Sequence, residues 1–128
     1  MKKIFFVFIL VLTFQLNAQS NKKRAEYLSS NIAKLISLTK DEKAKVYDVV
    51  LNNLNAIDKS IKDNGNNETA QPVMIEKRKF FSDMSAVLTE EQFQNWQRIR
   101  SEQLTQYRNG EKISEMIFDP KMETIIKK

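Results

Sequence analysis

Two nearly matching stretches lie 50 residues apart, Leu38-Thr39-Lys40-Asp41-Glu42 and Leu88-Thr89-Glu90-Glu91-Gln92, each just ahead of an apolar helical pattern. Thr39 and Thr89 suit the N-cap, where a hydroxyl accepts a hydrogen bond from an otherwise orphaned amide. Glu42 and Gln92, three positions on, reach back to the cap's own N–H. A repeated capping box therefore commits the chain to two helix starts. The whole sequence holds only two glycines and two prolines, and no β-branched run alternates with period two. The fold class expected is all-α, with four helices in two helical hairpins.

The periodicity places the helices. Helix one is expected over Lys22 to Ser37, with Leu28, Ile32, Leu35 and Ile36 on one face. Helix two starts after Thr39. It carries Tyr47, Val50, Leu54, Ile57 and Ile61 at alternating threes and fours, and shows Lys45, Asn52, Asn53 and Lys59 on its other side. Asp63-Asn64-Gly65-Asn66-Asn67 is a turn signal. Helix three begins near Pro72 and presents Val73, Phe80, Met84 and Val87. Helix four follows the second box with Phe93, Trp96, Leu104 and Tyr107, and ends at Asn109-Gly110. Residues 111–128 read as a short extra helix and a loose tail, beyond a helical domain over 19–110.

Lys2 and Lys3, then the apolar run Ile4 to Leu12 and the small residue Ala18, have the order of a cleavable secretory signal over residues 1–18. The apolar run is short for a membrane span of about 20 residues, so no stable anchor is expected after cleavage. The mature chain would be 110 residues, 128 less 18, enough for one domain. With Lys2 and Lys3 gone, 19 basic residues face 16 acidic ones, a net +3. An exported, mildly basic chain fits acidic protein partners better than nucleic acid.

There is no His and no Cys. That removes a Ser-His-Asp arrangement, a thiolate nucleophile and any disulfide, while two separated glycines build no phosphate loop. The chain is expected not to be an enzyme and to need no cofactor. Met74, Met84, Met116 and Met122 offer only thioethers, better read as gap-filling core at Met84 than as metal ligands.

The doubled L-T-x-x-Q motif, carried by Leu38, Thr39 and Glu42 and by Leu88, Thr89 and Gln92, resembles the Spy/CpxP family of periplasmic proteins. The first copy departs from the pattern in having Glu42 for Gln, which keeps the reciprocal hydrogen bond. The resemblance covers Thr39 to Tyr107 and implies a thin, elongated arrangement of helices in a dimeric cradle. It also implies a periplasmic, ATP-independent chaperone that binds unfolded or partly folded envelope proteins through a basic, partly apolar surface. Two rivals stay open: a regulatory partner docking on the sensor domain of an envelope stress kinase, and a helical interaction module without chaperone activity.

For a client-binding surface the candidates are Lys77, Arg78, Lys79 and Phe81, with Trp96, Arg98 and Arg100. Phe80 and Phe81 point about 100° apart on a helix. Either both rim a broad core, the blander reading, or one is left over for a client or a second copy, which motivates a homodimer. Trp96 falls in register with Phe93 and Leu104, which favours the core.

Overall fold

The computed structural model describes residues 20–124, so the signal at residues 1–18 and the terminal pair Ile125 and Ile126 lie outside the described residues. Four α-helices make up the fold, and no strand occurs among the described residues. Helix α1 occupies 20–35, α2 Lys40–Asp63, α3 Gln71–Val87 and α4 Glu90–Arg108. A 3-10 turn, Pro120–Met122, follows.

Three of the helices close alike. A residue in the left-handed region follows each, and the next amide bonds back to a carbonyl five residues earlier: Leu38 to Ala33, Asn66 to Ile61 and Glu111 to Gln106. Gly65 (φ 68°) and Gly110 (φ 74°) take that position after α2 and α4, which uses both glycines of the chain. After α1 the same place falls to Ser37 (φ 56°), where a Cβ makes the conformation less favourable. This cap ends α1 two residues before the expected Ser37. Helix α3 ends without such a cap, because extended Leu88 leads straight into the Thr89 cap of α4.

The turn after α2 folds α3 back along it, and these two form the main packing seam. Val46, Val50, Leu54 and Ile57 from α2 meet Val73, Phe80 and Met84 from α3 in one core. Helix α1 adds Ala25, Leu28 and Ile32, the turn after it adds Ile36, and α4 adds Trp96. Full burial of such side chains contributes about 1.5–3 kcal/mol each, more than any single surface contact. Leu35, expected on the buried face of α1, is instead 38% exposed. Asn53, expected on the open side of α2, is buried, its amide donating to Val49 O (2.8 Å) and to Asp83 (3.1 Å). A polar residue is tolerated there because both bonds offset its lost hydration.

Residues 111–124 contain no α-helix and are not a loose tail. They form a strap laid across the helices, with Ile117, Phe118 and Met122 buried. Its apolar side chains fill what four short helices leave open. Among the described residues, no helix is long and apolar enough to cross a membrane.

Candidate functional site

Both capping boxes form in full. Thr39 N–H donates to Glu42 Oε1 (2.9 Å) while Glu42 N–H donates to Thr39 Oγ1 (3.2 Å), and Thr89 with Gln92 repeats the same two distances. The boxes also meet each other. Gln92 Nε2 donates to Glu42 Oε2 at 2.8 Å, tying the start of α4 to the start of α2. The Thr39 amide, then the Gln92 side chain, hold the Glu42 carboxyl below the usual carboxylate range. Glu42 in place of Gln thus supplies an acceptor oxygen on each side: one for its own cap, one for the other box. Leu88 is buried and Leu38 half-buried, so each box also seats an apolar residue on the core. This is structural chemistry, and it places no reactive group at a cavity.

The residues proposed for client binding do not form one surface. Lys77 is buried on the core face of α3, and its ammonium donates to Glu123 O at 3.1 Å. Trp96 is fully buried. Phe81 is covered rather than left over: its ring lies 5.9 Å from that of Phe80 and 5.7 Å from that of Trp96, with the Arg100 guanidinium 4.3 Å above it. Arg100 also forms a bidentate ion pair with Glu123, and Arg98 pairs with Glu102 along α4. Only Arg78 and Lys79 are exposed with no ion pair described for them. Phe80 is buried in the core cluster and Phe81 is partly buried against it, so the two rings rim one core, as the blander reading had it.

The most exposed large apolar side chain among the described residues is Ile75, at 53%. It stands three and four residues before Arg78 and Lys79, on the same outer face of α3. Ile75 is out of register with Val73, Phe80 and Met84, and that mismatch is the signal that could have singled it out. Lys77, by contrast, shares their register at 73, 77, 80 and 84, and Gln103 follows Trp96 by seven. Both positions read as buried once the helix face is drawn.

The strap's polar anchors come from every helix. Arg24 of α1 grips Asp119 with two bonds, Nε to Oδ2 at 2.6 Å and Nη2 to Oδ1 at 2.5 Å. Lys121 of the strap pairs with Asp58 of α2. Gln103 of α4 clamps the strap backbone both ways, Nε2 donating to Glu115 O (2.7 Å) and Oε1 accepting from Ile117 N–H (2.8 Å). Among the side chains that anchor the strap, sequence reasoning gave a role only to Lys77 and Arg100, and a different one. Asp119 ahead of Pro120 was the available clue, since Asp caps a turn that Pro starts: its carboxylate accepts from Lys121 N–H at 3.0 Å.

No group of three or more His, Cys, Asp or Glu side chains is placed to hold a metal among the described residues. Comparison with protein-family models, with curated proteins and with solved structures finds no match. The likeness to the Spy/CpxP family therefore rests on the L-T-x-x-Q pair.

Proposed function

We propose that this protein is an ATP-independent periplasmic chaperone that holds unfolded or partly folded envelope proteins loosely through the outer face of α3. The observation that carries this reading is the exposed Ile75 beside exposed Arg78 and Lys79. Cations attract acidic chain segments over a distance, while one isolated apolar contact holds them weakly enough to let go. Export rests on the basic and apolar leader at Met1 to Ala18. The homodimer that belongs to the same reading is supported by the family resemblance alone.

Aggregation of several unrelated unfolding proteins, followed by light scattering with and without the mature chain, tests the reading. Protection is expected without nucleotide, and it should fade as salt shortens the screening length from about 8 Å at 0.15 M to about 3 Å at 1 M. The combined variant Ile75→Ser, Arg78→Glu, Lys79→Glu should lose protection yet melt close to wild type, because exposed positions away from caps and core seldom shift stability by more than about 0.5 kcal/mol. No protection of any client, with tight binding to one purified sensor domain, would transfer the protein to the regulatory class.

A further inference from the structure

We infer that the groove that the four helices present to residues 113–124 is a docking site for a non-helical segment of a partner protein, an apolar pair followed by spaced carboxylates, and that residues 113–124 are its displaceable resident. The inference concerns a surface separate from the outer face of α3 and does not depend on chaperone activity.

The manner in which the strap is held carries the argument. Between Gly110 and the 3-10 turn it has neither helix nor ladder, so its backbone must find partners elsewhere. Side chains supply them. Gln103 closes on Glu115 O and Ile117 N–H, and Asn31 Nδ2 donates to Met116 O at 2.8 Å. Contacts of this kind read an extended backbone whatever its side chains, as a peptide groove does. Selectivity then comes from two features. Ile117 and Phe118 are seated as an apolar pair, Phe118 edge-on to Tyr107 with centroids 5.5 Å apart. Two arginines, Arg24 and Arg100, each take a carboxylate through a fork, from Asp119 and Glu123.

None of these contacts requires the occupant to be covalently joined. The strap leaves α4 through exposed Asn109, Gly110, Glu111 and Lys112, and Gly110 already sits in a left-handed conformation. Short flexible tethering gives the resident an effective concentration of order mM, so a competitor must offer the same chemistry to displace it. The strap shows what that chemistry is.

The test uses the full chain and a labelled peptide of residues 113–124, read by fluorescence anisotropy. Wild type should bind it weakly. The double variant Asp119→Ala, Glu123→Ala weakens the resident's handles but leaves Arg24, Arg100 and Gln103 in the groove, and should bind the peptide at least about tenfold tighter, as expected from losing charge-assisted bonds. A peptide lacking both carboxylates should lose about as much. A variant that keeps its helical circular dichroism but binds no better than wild type would overturn the inference. Should the variant unfold, hydrogen exchange of wild type decides instead: Ile117 and Met122 amides opening well before those of α2 support a displaceable strap, and exchange only through global unfolding overturns it. A wild-type dimer that excess peptide converts to monomer overturns the partner assignment, since a second copy's strap is then the occupant. Because the readout is peptide binding, failure here is distinct from failure to protect clients.

Discussion

The helix starts and the strap are held by the same kinds of bond but are specified differently. At Thr39 and Thr89 each box joins residues three apart, so the donors and acceptors are neighbours before any fold exists. In the strap the partners of Asp119 and Glu123 are Arg24, 95 residues away, and Arg100, 23 away. Ordering local partners costs little chain entropy, whereas the strap's bonds form only once the helices have assembled a surface. A motif can therefore announce the first kind of contact. The second must be found in the folded molecule.

The largest effect should come from cutting the strap's apolar anchor. Met122 is 1% exposed, and Met122→Ala is expected to cost about 2–5 kcal/mol in urea unfolding. A loss within error would show the strap to be an ornament on the helical core, and the contrast with the capped starts would collapse into local order alone.

Lys77 and Lys79 sharpen the comparison, since they are two residues apart on one helix with opposite surroundings. Lys77→Ala removes the donor to Glu123 O and should cost about 1–3 kcal/mol. Lys79→Ala should stay within about 0.5 kcal/mol. Equal effects, measured as shifts in denaturation midpoint, would mean that the strap does not depend on α3.

Thr89→Ala should cost about 1 kcal/mol, as should Thr39→Ala. Since Gln92 joins the two boxes, the paired substitution should depart from additivity in a double-mutant cycle. Strict additivity would separate the boxes.

The smallest effect expected is in acid. Glu42 has a folded-state pKa lowered by the Thr39 amide and Gln92, so its contribution is fully present above the ordinary carboxylate value and is lost as pH falls through the lowered one. Glu42→Gln keeps an oxygen for the cap and should flatten that part of the stability profile. An unchanged acid limb would show that the carboxylate's charge contributes nothing to the boxes.

Much of the architecture was open to reading from local chemistry. The starts of α2 and α4 follow from Thr39 and Thr89, and the turn from Asn64 to Asn67 and the end of α4 follow from the placement of Gly65 and Gly110. Val50, Leu54 and Ile57 of the buried stripe of α2 follow from spacing, because a helix repeats every 3.6 residues whatever it packs against, whereas Tyr47 and Ile61 are only partly buried and Val46 and Asn53 complete the stripe. The candidate surface was far less legible. Basic and aromatic letters side by side, Lys77 to Phe81 or Trp96 to Arg100, look like an exposed patch in one dimension. In three dimensions they are divided by the helix phase into a core face and a wet face.

By itself, then, the sequence determined what each segment can settle among its own neighbours: helix class, caps and turns. Tertiary structure alone decided that Phe81 would be covered, that Lys77 and Arg100 would be used inward, and that a segment without periodicity would become a buried strap. The physical reason is range. A capping bond is defined by positions three apart, but the partner of a carboxylate on an irregular segment depends on where four helices have already placed their cations.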